Sequence, residues 1–291
     1  MTRRLLIFTL AVIVGAVLAS VAKVHPSQVN FHDSENDTVK ITQILMDAEN
    51  ITDPNERVLE IARLFIDKPY VAGTLESADT IERLTVNLDE FDCTTFVETV
   101  LSLAITAGEH RTSWRDYLYN LEGLRYRSGE LNGYPSRLHY FSDWVVDNTH
   151  RGNITEVTNK FPEYRTQIKT LDFMSRNADK YTALADSANL AGIKNYEMGY
   201  RKHQFPYISW SAVSSKSIKE QLKEGDVVAI ITKTNGLDVT HMGFIVKDSK
   251  GNAHLLHASS REGKVVNDTT PLYDYLKKNG SPGIRILRLT Q

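Results

Sequence analysis

Apolar residues change their spacing several times along this chain, and each change marks a different kind of segment. The run 5–22 carries no charge; Arg3 and Arg4 precede it and Lys23 follows. Its length approaches the roughly 20 residues that span a bilayer, and Ser20-Val21-Ala22 supplies the small residues of an export cleavage site. It predicts either a signal peptide over 1–22, removed after Ala22, or an uncleaved N-terminal membrane anchor. The next stretch, 23–37, is polar and irregular and predicts a tether. Helical spacing then begins, with Ile41, Ile44 and Leu45 sharing one face of a helix over 38–48. A second helix start is signalled by Asp53 as N-cap, Pro54 as first helical residue and Glu56 as capping-box partner. Its apolar positions Val58, Leu59, Ala62, Phe65 and Ile66 keep that spacing until Pro69 ends it.

A third helix opens at Cys93, with Asp92 as N-cap and Phe96, Val97, Val100, Leu101 and Ala104 as its buried face. The pattern is then mixed to about 215, with an aromatic-rich stretch at 134–144. Beyond it the apolar runs become short: 227–231, 242–246, 253–258 and 284–289, separated by turn residues such as Asp248-Ser249-Lys250-Gly251-Asn252. Helices first and antiparallel strands later predict an α+β fold in a single domain over 38–291, with an insertion at about 110–215.

Composition narrows the possibilities. The chain has 291 residues, 41% hydrophobic and 24% charged, which excludes collagen-like, low-complexity and polytopic membrane classes. Thirty-four Lys plus Arg against 36 Asp plus Glu leave a net charge of −2, so nothing favours a nucleic acid as partner. No Gly-rich phosphate loop or dinucleotide fingerprint is present. The single cysteine excludes an intrachain disulfide and any metal site built on two thiolates. In an exported protein a lone cysteine is either buried packing or a nucleophile. Polar Asp92, Thr94 and Thr95 around Cys93 favour the nucleophile, and a helix start is expected to lower the thiol pKa.

A thiolate nucleophile needs a base, and the strand region holds three histidines, His241, His254 and His257. Antiparallel pairing about Ser249 would put 257 opposite 241 and 254 opposite 244. His241 and His257 would then share one face, one as base and one to orient it, with His254 on the other face. Three rivals stand beside this arrangement: a zinc site using Cys93, His241 and His257, a binding protein without turnover, and a peptidase with the same dyad.

The motifs Lys68-Pro69-Tyr70-Val71-Ala72-Gly73, Phe91-Asp92-Cys93, His241-Met242-Gly243 and Leu256-His257-Ala258-Ser259 resemble the NlpC/p60 superfamily of bacterial cell-wall cysteine hydrolases. More narrowly, the stretches 69–76, 92–98 and Ser136-Arg137-Leu138-His139-Tyr140-Phe141-Ser142-Asp143-Trp144 are similar to its N-acetylmuramoyl-L-alanine amidase-like family. The resemblance implies a papain-like fold with Cys93 as nucleophile, His241 as base, His257 as the group that fixes the imidazole, and Tyr70 as an oxyanion donor. It implies peptidoglycan fragments as partners, cleavage between N-acetylmuramic acid and L-Ala, a preference for anhydro-muropeptides, no cofactor, and a place in the periplasm or cell envelope. The interval from Cys93 to His241 is much longer than in short members of the superfamily that cut the γ-D-glutamyl bond. Ser136, Arg137 and His139 in that interval would hydrogen-bond a glycan while Tyr140 or Trp144 stacks on it.

Overall fold

A computed structural model describes residues 26–77 and 79–290. The proposed signal or anchor at 1–22 lies outside the described residues, as do the first residues of the tether. The remainder of that tether is folded. Val29–Phe31 (β1) pairs in parallel with Leu84–Val86 (β2). Helix α1 (Ser34–Ala48) starts earlier than the periodicity predicts because Asp33 caps it, accepting from the Asn36 N–H at 3.3 Å. A polar first turn hides such a start from any apolar-spacing argument. Helix α2 (Pro54–Arg63) begins as expected, with the Asp53 carboxylate accepting from the N–H groups of Asn55 and Glu56 at 2.9 Å each.

Helix α3 (Cys93–Gly108) is the centre of the molecule. Every residue from Thr95 to Ala107 is buried. It packs against α1, α2 and α4 (Trp114–Arg125) on one side and against the main sheet on the other. The charged side chain this burial traps, Glu98, accepts from Arg125 Nε at 2.7 Å, and each of the pair is 2% exposed. Arg125 also donates to the Thr85 carbonyl at 2.7 Å, which fastens β2 to the helical layer. Helix α5 (Phe141–His150) completes that layer.

Among the described residues the main sheet has eight strands: β3 (Ile154–Glu156), β4 (Tyr164–Lys169), β5 (His203–Ser209), β6 (Val227–Ile231), β7 (Val239–Lys247), β8 (Ala253–Ser259), β9 (Lys264–Asn267) and β10 (Gly283–Leu289). Their order is β4-β5-β10-β6-β7-β8-β9, with β3 also on β10, and all pairings are antiparallel. Alternation divides the side chains between two cores. Met242, Phe244, Leu256 and Ala258 face the helical layer. Ile245, Leu255, Ile284 and Ile286 face a second core closed by the short helices α8 (Lys216–Gln221) and α9 (Leu272–Lys278). The four strands the sequence shows are β6, β7, β8 and β10, the ones buried on both faces.

The segment 110–215, expected as an insertion, contributes to both layers of the domain. Its α4 and α5 belong to the helical layer, and β3, β4 and β5 widen the sheet. Helices α6 (Phe173–Arg176) and α7 (Ser187–Gly199) gather with Tyr134, Tyr140, Leu184 and Ile193 into a third, smaller core. Among the described residues no helix is long and apolar enough to cross a membrane.

Removing one member of a fully buried charged pair leaves the other without a partner. Glu98→Ala should therefore lower the unfolding free energy by about 3–5 kcal/mol, measured by urea denaturation. A loss within the range of ordinary surface substitutions would show that Arg125 finds compensation elsewhere.

Candidate active site

Cys93 occupies the first position of α3. Asp92 accepts from the Thr95 N–H at 2.7 Å, and Thr95 Oγ1 accepts from the Asp92 N–H at 2.9 Å, a reciprocal cap that fixes the helix start. The thiol is half-buried against the helical core. The Met242 backbone N–H, the Thr94 side chain and its own N–H all face it. These donors do not lower its pKa as expected from the helix start. Burial, followed by the Asp92 carboxylate, pushes the thiol up to about 11.

His241 and His257 do share a face, and His241 Nε2 lies 2.5 Å from His257 Nδ1. The strand register behind this contact differs from the expectation. Phe244 pairs with Leu256 and Val246 with His254, so the turn centres on Lys250. The Asp248 carboxylate sets that centre, accepting from the N–H groups of Lys250 and Asn252. A shift of two residues keeps every side chain on its face, which is why the two histidines still meet. They meet diagonally, and Gly243 stands opposite His257. A Cβ at Gly243 would lie 2.8 Å from the His257 Cβ, so glycine is what admits the imidazole there. His254 points to the other face, where its Nδ1 contacts the Asp268 carbonyl at 3.1 Å.

Two residues the sequence reading missed complete the surroundings. Tyr275 of α9 stacks on His241, with centroids 6.4 Å apart and planes 24° apart, and meets His257 edge-on at 5.7 Å. Asp268, just after β9, places Oδ2 3.6 Å from His257 Nε2. Neither carried a motif, and their proximity depends on β8–β9 pairing and on how α9 folds back. Burial lowers the proton affinity of both histidines, so the pair is neutral at neutral pH.

Tyr70 is held beside the cysteine by backbone bonds: its N–H donates to the Gly263 carbonyl at 2.8 Å, and the Val71 N–H to Phe91 at 3.0 Å. Burial, then Cys93 and Asp92, raise its hydroxyl pKa, which keeps it a donor. Ser136 and Arg137 are placed otherwise than a glycan-binding role requires. Ser136 Oγ donates to the Gly133 carbonyl and accepts from the Asn132 N–H within a tight turn. Arg137, 6% exposed, donates to Glu76 at 2.5 Å and to the Leu75 carbonyl, with Glu82 at 3.5 Å. It anchors the loop after Tyr70. Tyr140 is likewise committed, donating to Glu197 and accepting from the Met174 N–H. His139 lines the cavity but bonds the Tyr134 carbonyl at 3.0 Å, and burial keeps it neutral.

Cys93 and His241 open on one cavity of about 110 Å³, whose walls include His139, Phe141, Trp144 and Asp238. Phe141 and Trp144 stack at 5.9 Å, and Trp144 Nε1 is buried without a partner. A second cavity of about 330 Å³ also borders His241 and is lined by Lys233, Thr240, Tyr275, Asn279 and Ser281. A zinc site fits poorly here. Two nitrogens on one tetrahedral zinc, each at about 2.0–2.1 Å, would stand well over 3 Å apart, whereas these lie 2.5 Å from one another, in hydrogen-bond contact.

The family model described as AmiA-like, N-acetylmuramoyl-L-alanine amidase-like, matches residues 60–284. The chain belongs to this family. It is similar to the crystal structure of an N-acetylmuramoyl-L-alanine amidase from Bacteroides uniformis, at 36% identity and a TM-score of 0.74, over 80% of this chain and 99% of that one. A Bacteroides fragilis structure with a provisional xylanase description is 39% identical, with a TM-score of 0.73 over 79% and 100% of the two chains. A Legionella pneumophila protein shares the fold at 24% identity and a TM-score of 0.69, over 89% and 96%. No curated protein matches the chain.

Two measurements follow from this geometry. Gly243→Ala should displace His257 and cut turnover at least tenfold while the protein stays folded, because overpacking of this kind costs about 1–3 kcal/mol; unchanged turnover would mean His257 tolerates the methyl. Because thiol and imidazole are both neutral at rest, the iodoacetamide alkylation rate should climb steadily through pH 9. A plateau between pH 5 and 8 would instead indicate a preformed thiolate–imidazolium pair.

Proposed function

We propose that the chain is a cysteine-dependent amidase that hydrolyses the amide between the lactyl carboxyl of N-acetylmuramic acid and L-Ala in peptidoglycan fragments. The observation that carries this is the shared cavity of Cys93 and His241, in a member of the amidase-like family, with His241 held from behind by His257. His241 Nδ1, the nitrogen not engaged with His257, takes the thiol proton as sulfur attacks the carbonyl. The Cys93 N–H and the Tyr70 hydroxyl hold the developing oxyanion. The same imidazole then protonates the departing amine, and water, deprotonated by it, hydrolyses the thioester.

This chemistry orients the substrate. The acyl part stays with Cys93, so the sugar belongs in the cavity walled by the stacked Phe141 and Trp144. The leaving amine must lie on the His241 side, which assigns the stem peptide to the cavity beside Tyr275. Glycosidase chemistry has weaker support, since it needs two facing carboxylates and, among the described residues, the lining of the cavity shared by Cys93 and His241 carries one, Asp238, which accepts from the N–H groups of Ser142 and Val239. On this proposal the enzyme is an NlpC/p60-type hydrolase with a papain-like fold. It acts outside the cytoplasm, in the periplasm or cell envelope, on anhydro-muropeptides, after export directed by residues 1–22 or from an anchor formed by them.

Mass spectrometry of a digested disaccharide-peptide tests the bond. The expected products are intact sugar and a peptide with a new L-Ala amino terminus, and Cys93→Ser should abolish their release with the fold retained. Release of an L-Ala–D-Glu dipeptide, with the muramyl–alanine bond whole, would replace the amidase by a γ-D-glutamyl endopeptidase. Tight binding without turnover would make the chain a muropeptide-binding protein.

A further inference from the structure

Behind the two histidines the sheet carries a third polar group in the same diagonal line. Asp268 lies one strand beyond His257, as His257 lies one strand beyond His241. The Asp268 N–H bonds the Leu255 carbonyl at 2.8 Å, continuing the β8–β9 ladder in which His257 pairs with Val266. Asp268 therefore projects on the same face as His257, displaced by two residues, the spacing at which long side chains on adjacent strands touch. His257 Nε2 and Asp268 Oδ2 are both buried and both without a hydrogen-bond partner, and they stand 3.6 Å apart. A shift of a few tenths of an ångström joins them. The other carboxylate oxygen is occupied, accepting from the Thr270 N–H at 2.7 Å.

We propose that Asp268 is a positioning residue that sets the tautomers of His257 and His241, and so makes His241 a base toward Cys93. The inference rests on the cysteine mechanism proposed above. Each neutral imidazole carries one ring proton, and an ionised carboxylate can only accept. Facing Asp268, His257 must carry its proton on Nε2, which leaves a lone pair on Nδ1. His241 Nε2 must then donate across the 2.5 Å contact. The lone pair of His241 is thereby placed on Nδ1, the nitrogen that serves the thiol. The opposite pair of tautomers would put a proton on that nitrogen and leave Cys93 without a base.

The surroundings keep Asp268 in the accepting form. The Thr270 N–H and hydroxyl, then His257 and Arg261, outweigh burial and hold its carboxyl below the usual range. Arg261 places a guanidinium nitrogen 3.6 Å from the same Oδ2. The titratable and charged groups facing His257 are Arg261 and Glu262 from the turn before β9, Asp268 just after β9, His241 from β7 and Tyr275 from α9.

The test uses Asp268→Asn and Asp268→Ala in the full chain, with a disaccharide-peptide as substrate. In Asp268→Asn the Thr270 N–H keeps the amide oxygen where an acceptor now sits, so the NH₂ group faces His257 and demands the wrong tautomer. We expect kcat to fall by about 10²–10⁴-fold with KM nearly unchanged. The remaining rate should climb with pH where the wild type is level, as hydroxide substitutes for the misprotonated His241. Asp268→Ala, although the larger structural change, should be the less damaging, because it imposes no tautomer. A role in folding alone would give the reverse order, with Ala worse than Asn, and would overturn the proposal; so would Asp268→Asn with kcat within threefold of wild type, or a loss confined to KM. Should the alanine variant fail to fold, the kcat–KM split and pH profile of Asp268→Asn decide. Cys93→Ala and His257→Ala are run in parallel. If both are inactive while Asp268→Asn is fully active, this inference alone falls. If Cys93→Ala keeps its turnover, the cysteine mechanism falls and Asp268 with it.

Discussion

The burial of α3 across β7 and β8 is the constraint on which the rest of the structure depends. Its apolar residues pack on Met242 and Phe244, with Phe96 and Phe244 edge to face at 5.6 Å. Strand alternation then forces His241, Gly243 and Ile245 to the opposite face. The helix start meets the strand at Met242, whose N–H faces the thiol. Cys93 and His241 thus reach one cavity from the two sides of a single strand. Sliding α3 along the sheet, or turning β7 over, would separate them.

Burial also decides the electrostatics of the site. A helix N-terminus stabilises an adjacent negative charge by about 0.3–1 kcal/mol, rarely more than ~2, whereas desolvating a thiolate moves its pKa by up to several units. Desolvation wins, and Cys93 rests as a thiol. The same exclusion of water keeps His241 neutral. A neutral pair must transfer its proton during attack, so the tautomer of His241 decides whether the site can work. Such an arrangement depends heavily on what stands behind the imidazole.

The substrate side is tied to the same strand by a cap of unusual origin. Tyr140, at the N-cap of α5, offers no side-chain cap. The carboxylate of Asp238, 1% exposed, arrives from the residue before β7 and accepts from the Ser142 N–H at 2.5 Å. The helix that carries Phe141 and Trp144 is therefore pinned to the strand that carries His241. Arg137 does comparable work on the other side, holding the loop after Tyr70 through Glu76 and Glu82. These residues, part of the segment that reads as an insertion, fix walls and loops around the cavity.

What the sequence determined by itself was local. The Asp92 cap, the Asp53-Pro54 start and the apolar spacing of α3 depend on neighbours within a turn or two, so residue type and spacing suffice to read them. The shared face of His241 and His257 was legible for a related reason: parity survives a register error of two. Everything that depends on a particular register, or on which element folds back where, was decided by tertiary structure. The turn centred on Lys250 rather than Ser249 because the Asp248 carboxylate closes it there. Gly243 has a purpose only once His257 stands opposite. Tyr275 and Asp268 join the site through chain reversals after β8 that no spacing rule describes. The direction of the thiol pKa followed the same division, because a helix start is visible in sequence and the depth of its burial is not.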